Sequence, residues 1–231
     1  MKKTNKKAFL EFEANSYFDR NYDYLTNFNN KNDIIVKLID DYSLKFKTIC
    51  ELGCSAGGRL DFIEKKYNPK KIIGVDPSQN AINHGKTINK NIIFHQGTSD
   101  DLYFIDDQSV DLLILGFFLY VVDRELLLKS FSEIDRILKK NGNLIIVDFY
   151  SSTPLKSKYS HLIKENAYLF KQKYHETLLS TNEYELIDFR SLDSKSMSLN
   201  ATKKSNDLAS ISLLRKSFDR HIVWRINFWN K

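Results

Sequence analysis

The chain has 231 residues, of which 42% are hydrophobic and 13% aromatic, and its formal net charge is +6. It is long enough to bury the core of one domain and short for two, and it has neither a secretory apolar segment nor an apolar run that could span a bilayer. Its two cysteines do not suggest a disulfide framework and its five histidines lack metal-ligand spacing, so we expect a cytoplasmic protein without a metal centre.

The N-terminal part is predicted to be helical. A first helix covers residues 7–24, an Asn- and Lys-rich link follows at 27–33, and an amphipathic helix covers 34–42. We expect the first helix to lie over a bound ligand. In this helix Arg20 could pair with a carboxylate through its two-pronged guanidinium, or it could be solvated; the sequence leaves both readings open.

The next element is an apolar strand that breaks into glycines. Residues 48–58 read TICELGCSAGG, and the amphipathic pattern of a helix follows. Glycine permits a tight turn and a close approach of backbone to ligand. Tight turns between a strand and a helix also occur where nothing binds, so this turn alone does not establish a site.

A second strand ends in an acid, Asp76. It lies about twenty residues past the glycines, the distance at which such folds place a carboxylate on the two ribose hydroxyls of a nucleoside. Ser55 stands where the dinucleotide-binding motif has its second glycine, which a pyrophosphate needs for close approach of the backbone. The charge of Glu51 would repel a pyrophosphate, but its carboxylate could accept a hydrogen bond from an ammonium group. The sequence therefore favours a cationic ligand without phosphate.

From about residue 48 to residue 150, the chain resembles the class I S-adenosylmethionine-dependent methyltransferases. Residues 51–57 are similar to the family's acid-x-Gly-x-Gly-x-Gly loop, with Ser55 in place of the middle glycine, and residues 74–78 resemble its ribose block. The resemblance implies S-adenosylmethionine as cofactor, S-adenosylhomocysteine as product, and a pairing of Arg20 with the methionine carboxylate. The implied cofactor residues of these two blocks are Glu51, Gly53, Cys54, Ser55, Gly57, Asp76, Pro77 and Ser78.

Two later blocks extend the resemblance. Residues 94–102 resemble the block that contacts adenine, which implies roles for Thr98, Ser99 and Asp100. Residues 109–122 resemble the fourth strand and the loop under the sulfonium. This block adds Gly116 and Phe117 to the cofactor site, and its Tyr120 stands where relatives often carry histidine and is a catalytic candidate.

The remaining elements complete an α/β fold. A helix over 126–140 is predicted to stop at Asn141-Gly142, a strand covers 143–149, and two more strands cover 183–192 and 207–215. Alternating strands and helices imply a doubly wound, mostly parallel sheet with helices on both faces. The family adds that the sheet has seven strands with an antiparallel last one. We divide the single domain into a helical cover, a cofactor-binding core and a substrate-side part, at residues 1–44, 45–150 and 151–231.

The substrate-side part gives fewer signals. His161 follows the fifth strand, where it could remove a proton from the acceptor, although methyl transfer does not require a base and an ordinary loop histidine is the simpler reading. Four aromatic residues could form an acceptor pocket or belong to the core, namely Tyr159, Tyr168, Phe170 and Tyr174. The aromatic segment 218–229 could add a strand or join a second copy in a homodimer.

The sequence thus predicts methyl transfer to an oxygen or nitrogen of a small molecule, with a saccharide or nucleotide-sugar as one acceptor class. A nicotinamide-dependent oxidoreductase is the enzymatic alternative, weakened by Glu51 and Ser55. A subunit that binds the cofactor without catalysis is the other alternative. The lysines are scattered rather than clustered, so nucleic acid is disfavoured as a partner, and no membrane association is expected.

Overall fold

The N-terminal cover is a succession of short helices. In a computed structural model of the protein, the described residues are 5–28, 33–165, 167–199 and 208–217. The cover comprises α1 (Asn5–Ala8), a π-helical turn (Phe9–Glu13), α2 (Ala14–Arg20) and α3 (Tyr22–Thr26). The predicted helical character is therefore confirmed, whereas the expectation of one uninterrupted helix is wrong.

The sheet has the predicted topology. The strands are β1 (Thr48–Leu52), β2 (Lys71–Asp76), β3 (Ile92–Gln96), β4 (Val110–Gly116), β5 (Leu138–Phe149), β6 (Leu155–Lys158), β7 (Tyr168–Lys171), β8 (Tyr184–Asp193) and β9 (Leu208–Lys216). Seven of them form one sheet in the order β3-β2-β1-β4-β5-β9-β8. Strands β1 to β5 are parallel, and β9 runs antiparallel to both β5 and β8.

Helices cover both faces of this sheet. They are α4 (Ile34–Asp41), α5 (Gly58–Tyr67), α6 (Gln79–Ile88), α7 (Arg124–Ile137) and α8 (Tyr174–Leu179). Successive strand residues point to opposite faces. Ile49 and Ile72 accordingly pack with α4, α5 and α6, whereas Cys50 and Ile73 pack with α7 and α8. The two apolar layers fix the carboxyl ends of the parallel strands at one edge.

The predicted stop of α7 at Asn141-Gly142 is wrong. The helix ends at Ile137, and Leu138 already pairs with Val110 of β4. The pairing resumes at Leu112 and Asn143, so residues 139–142 bulge from the ladder. Pairing with β4 overrides the local helical pattern, a competition that the sequence does not reveal.

A small antiparallel hairpin, β6–β7, follows β5 and was not predicted. It pairs Leu155 with Lys171 and Lys158 with Tyr168, and its connection includes a 3-10 turn at Ser160–Glu165. The predicted last two strands are confirmed as β8 and β9. The aromatic segment 218–229 lies outside the described residues, so its predicted roles stay predictions.

No helix within the described part of the chain has both the length and the apolar character needed to cross a membrane.

Candidate active site

The loop after β1, residues 53–58, is shaped by left-handed backbone conformations. Gly53 and Gly57 have φ angles of 78° and 77°, and Ser55 has 50°. A Cβ atom at Gly57 would lie 2.6 Å from Cζ of Phe94, so a side chain there is both strained and obstructed. The amide of Gly53 donates to the carbonyl of Val75 at 2.8 Å, which ties this glycine loop to β2.

The carboxylate of Asp76 lies beside this glycine loop, as predicted. One oxygen accepts from the amide of Ser55 at 2.8 Å and the other from the amide of Ser78 at 2.9 Å. Burial raises the pKa of Asp76 to about 6, although both amides act to lower it. Each oxygen has a further lone pair, so the group can accept two ribose hydroxyls while it holds the turn.

Glu51 has a partner that the sequence reasoning missed. One of its oxygens accepts from Nη1 of Arg59, and Nε of Arg59 donates to Asp33 at 2.9 Å. The other oxygen, Oε2, is buried and has no hydrogen-bond partner among the described residues. Burial raises the pKa of Glu51, and Arg59 opposes that shift. Arg59 therefore offsets part of the predicted repulsion of a pyrophosphate, while Oε2 suits an ammonium group.

A cavity opens beside the glycine loop. Its wall includes five residues predicted for the cofactor site, namely Gly53, Pro77, Thr98, Ser99 and Asp100. Hydrophobic residues of several elements complete it, among them Leu52, Val75 and Phe118. The cavity thus joins the glycine loop to the predicted adenine block.

The cover forms the facing wall with Lys6, Phe9 and Leu10. Nζ of Lys6 lies 3.0 and 2.8 Å from the two carboxylate oxygens of Asp100. Burial acts to raise the pKa of Asp100, but hydrogen bonds from Lys6 and Thr98 outweigh it and the pKa is lowered. The predicted covering role of the N-terminal helices is consistent with this geometry, and Lys6 had no sequence signal.

The start of the cover is anchored by polar contacts. The carboxylate of Asp123 accepts the amides of Asn5 and Lys6 at 2.8 and 2.9 Å. The side chain of Asn5 donates to the carbonyls of Val121 and Tyr168, at 3.0 and 2.8 Å. Asn5 is therefore buried by contacts with residues more than a hundred positions away. No local sequence pattern predicts such contacts.

Aromatic rings gather where β4 and β5 end. The ring of Phe149 meets those of Tyr120 and Phe117 edge to face, at centroid distances of 4.8 and 5.4 Å. Asp148 accepts the amide of Leu119 at 2.8 Å and so holds the turn that carries Tyr120. Burial raises the pKa of Asp148 to about 7. Phe117 and Tyr120 thus lie at the predicted edge of the sheet.

Arg20 lies in the cover, and His161 lies in the segment between β6 and β7. Nη2 of Arg20 donates to Oε1 of Glu13 at 2.6 Å, and the hydroxyl of Tyr159 donates to the same oxygen at 2.6 Å. His161 is exposed, with its ring 5.5 Å from that of Tyr159. Neither Arg20 nor His161 contributes to the cavity wall. Their roles toward cofactor and acceptor stay predictions.

The remaining predicted residues have structural partners. Ser99 Oγ donates to Ser130 Oγ at 2.9 Å, and Gly116 lies next to Glu51 at the end of β4. Cys50 and Cys54 are buried, and burial raises the pKa of both thiols, as expected of apolar core cysteines. The described residues contain no group of His, Cys, Asp or Glu side chains suited to a metal ion.

Residues 49–142 match the family described as methyltransferase domain. The architecture expected of that family agrees with the observed strand order and with the placement of Asp76 beside the glycine loop. Over these residues the chain is similar to methyltransferase domains, and its fold resembles that of a solved S-adenosylmethionine-dependent methyltransferase. S-adenosylmethionine is the cofactor of this family, so the nicotinamide alternative has no support from these findings.

Known methyltransferases are similar to the chain, one group in sequence and others in fold. The ubiquinone/menaquinone biosynthesis C-methyltransferase UbiE of Campylobacter jejuni is 28% identical over 114 residues, 47% of each chain. The chain therefore spans about half the length of the curated relatives that it matches. A putative Haloferax volcanii methyltransferase, solved with the Trm112 activator, has a TM-score of 0.64 at 16% identity and covers 90% of this chain and 99% of its own.

A third similar protein is the 1,6-didemethyltoxoflavin-N1-methyltransferase of Burkholderia thailandensis, solved with its substrate and S-adenosylhomocysteine. It has a TM-score of 0.63 at 12% identity and covers 88% of this chain and 87% of its own. At such identity the likeness shows the fold alone. The fit of the methyltransferase cofactor rests on this chain's own residues, above all the orphaned Oε2 of Glu51 and the glycine loop.

Proposed function

We propose that this methyltransferase transfers a methyl group from S-adenosylmethionine to an oxygen or nitrogen of a small molecule. The observation that carries the proposal is the cavity between the glycine loop and the cover, with Asp76 and the unpartnered oxygen of Glu51 at the same sheet edge. A nucleoside and an ammonium group are the chemistry that these two carboxylates would bind. The aromatic cluster of Phe117, Tyr120 and Phe149 at the ends of β4 and β5 supplies an adjacent surface for an acceptor.

Positioning supplies much of the acceleration in such a reaction. When bound, S-adenosylmethionine would supply an activated methyl group to the acceptor. Asp76 would hold the ribose and Glu51 the ammonium group. The aromatic cluster would orient the acceptor, and the cover, which walls the cavity with Phe9 and Leu10, would exclude water.

The acceptor class has two candidates. A saccharide or nucleotide-sugar with a hydroxyl or amino acceptor is the first. Methylation at carbon of a quinol ring is the second, and the similarity to the Campylobacter C-methyltransferase favours it. The aromatic cluster suits flat rings and sugar faces alike, so the two candidates differ in the atom that is methylated.

The cofactor half of the proposal is tested by calorimetric titration of the purified chain with S-adenosylmethionine, S-adenosylhomocysteine, NADH and NADPH. Saturable binding of the first two alone supports it, whereas a preference for a nicotinamide overturns it. The Asp76→Ala variant is the matched control, because it removes the ribose carboxylate that the glycine loop surrounds.

The transfer half is tested with a methyl-labelled cofactor and a panel of phenols, heteroaromatic amines, nucleotide-sugars and hydroquinones. Label on an oxygen or nitrogen supports the proposal, and label on a ring carbon supports the second candidate. Cofactor binding without transfer to any class of acceptor favours the non-catalytic subunit. The same panel run with the Asp76→Ala variant controls for non-enzymatic methylation.

A further inference from the structure

The wall of the cavity is mostly apolar. Phe9 and Leu10 of the cover line it together with Val75 and Pro77 of the sheet edge. Pro77 directly follows Asp76, the carboxylate proposed for the ribose, so a base attached to that ribose can enter this cavity. In sites of this kind, a few polar groups fix the orientation of the ligand and its specificity. The polar groups of the wall therefore decide which base fits.

The charged residues of this wall are Lys6, Asp100 and Asp123. Asp123 accepts the backbone amides of Asn5 and Lys6, so its carboxylate is used to hold the cover. Nζ of Lys6 lies 3.0 Å from one carboxylate oxygen of Asp100 and 2.8 Å from the other. The pair of Lys6 with Asp100 is thus the charged group that a ligand in the cavity meets.

Lys6 retains a hydrogen-bond donor in this pair. An ammonium group has three N–H donors, and the two oxygens of Asp100 use two of them. The side chain of Lys6 is 32% exposed and lines the cavity, so the third donor is accessible. Ser99 donates to Ser130, and the hydroxyl of Thr98 bonds to Asp100. Among the described side chains of the wall, Lys6 is therefore the one with a donor left for a ligand.

Asp100 can still accept a hydrogen bond beside this donor. Each carboxylate oxygen has two lone pairs, and Lys6 uses one on each oxygen. The pair thus presents an acceptor and a donor side by side in the cavity. Adenine carries the complementary groups, because its amino group donates and the ring nitrogens on either side of it, N1 and N7, accept.

Fastening the cover does not by itself account for this pair. The start of the cover is already anchored by Asn5 and Asp123 through several hydrogen bonds. An ion pair with one partly exposed partner contributes little to stability, and desolvation of Asp100, whose side chain is 6% exposed, offsets part of that gain. A ligand that bonds to both partners gives the pair a role that the anchor does not supply.

We propose that Lys6 is a cofactor-specificity residue, whose ammonium group donates a hydrogen bond to the adenine ring nitrogen beside the amino group that Asp100 accepts. This inference rests on the proposed function. The adenine would then bridge the sheet edge and the cover, so that the cover closes on the base that it recognises. The contact forms no covalent bond and moves no proton.

The test is calorimetric titration with S-adenosylhomocysteine and its 1-deaza, 7-deaza and 3-deaza analogues, each of which has a C–H in place of one ring nitrogen. Lys6→Met keeps the apolar stem and removes the donor, so it should weaken S-adenosylhomocysteine about tenfold. It should weaken the 3-deaza analogue equally, because N3 lies far from the amino group. With either the 1-deaza or the 7-deaza analogue, the variant should bind like the wild type, which identifies the nitrogen that Lys6 contacts. Lys6→Gln keeps an N–H donor and should lose less affinity.

Lys129→Met is the matched control. Nζ of Lys129 lies 4.0 Å from the same carboxylate, but its side chain is 60% exposed and lies outside the cavity wall. This variant should bind all four ligands like the wild type. An equal loss for all four ligands in a folded Lys6→Met protein, or no loss for S-adenosylhomocysteine, would overturn the inference. Failure of the wild type to bind S-adenosylhomocysteine would instead count against the proposed function, so the two failures are distinguishable.

Discussion

The core at residues 45–150 and the cover hold their polar groups in different ways. In the core, backbone amides make the contacts: two of them donate to Asp76, and the amide of Gly53 donates to a carbonyl of β2. In the cover, the side chains of Asn5, Lys6 and Glu13 make the contacts. The core contacts follow from the path of the chain, whereas those of the cover depend on particular side chains.

This difference predicts unequal responses to mutation. Substitutions in the glycine loop should deform the backbone and so reduce the stability of the fold. Substitutions in the cover should change how readily the site opens and should leave the sheet intact. The cover is built from short helices and polar contacts, and such regions are usually among the less stable parts of a protein. Five experiments test this difference, and they follow in order of decreasing expected effect.

Gly57→Val should have the largest effect. It places a branched side chain at a φ of 77° and within 2.6 Å of Phe94, so we expect a loss of roughly 2 to 4 kcal/mol in unfolding free energy. Affinity for S-adenosylhomocysteine should also fall, by more than about a hundredfold. Denaturant unfolding and calorimetry measure the two effects. Gly116→Ala is the control for the unfolding free energy, because its added Cβ would approach no atom closer than 3.4 Å; an equal loss of stability there would contradict the backbone argument.

Asp76→Ala should leave the fold intact and weaken the cofactor. Losing a hydrogen bond to a charged group costs about 1.5 to 3 kcal/mol, which corresponds to roughly tenfold or more in affinity. Calorimetric titration with S-adenosylhomocysteine measures the change, and Asp106→Ala, at an exposed carboxylate, is the control. Unchanged affinity in a folded Asp76→Ala protein would remove Asp76 from the ribose site.

Acid should weaken cofactor binding through the same residue. Asp76 must be ionised to accept two hydroxyl protons, and burial raises its pKa to about 6, so affinity should fall by up to about tenfold per pH unit below that value. The stability contribution of Asp76 has the opposite sign. Its folded-state pKa lies above the unfolded value, so unfolding free energy falls as pH rises from about 4 to about 6. Titrations between pH 5 and 8 check the first effect, and a pH dependence that persists in Asp76→Asn would contradict it.

Lys6→Gln should loosen the cover with a smaller effect. Lys6 and Asp100 both line the cavity, and Lys6 is partly exposed, so we expect loss of their ion pair to change the free energy by roughly 0.5 to 1 kcal/mol, or two- to fivefold faster release of S-adenosylhomocysteine. Stopped-flow displacement measures that rate. Lys7→Gln removes the neighbouring charge, whose ion pair with Glu11 is exposed, and it should not change the rate. A similar acceleration by both variants would indicate a general charge effect.

His161→Ala should have the smallest effect. The side chain is exposed and outside the cavity wall, and surface substitutions usually change energies by less than about 0.5 kcal/mol, so kcat should change less than about twofold. Steady-state kinetics with an acceptor found in the panel measures this. A loss of tenfold or more would instead support the catalytic role that the sequence suggested.

The core was predictable because its signals are local. Residues 48–58 show a strand that breaks into glycines, and Asp76 ends the next apolar run, so a short window suffices for each. The bulge at 139–142 shows the limit of this reasoning, since the pairing of Leu138 with Val110 decides where α7 ends. The ion pair of Glu51 with Arg59 was also missed, although Arg59 stands in the first turn after the glycines.

Local patterns in the sequence predicted the succession of strands and helices, the glycine loop, the carboxylate beside it and the resemblance to methyltransferases, because periodicity and turn chemistry act over a few residues. The contacts of the cover, in contrast, depend on the folded chain as a whole. Lys6 meets Asp100 and Glu13 meets Tyr159 across 94 and 146 positions, and no local pattern encodes such pairs. Their partners are chosen by the packing of the whole chain, which brings the cover and the hairpin over the same edge of the sheet.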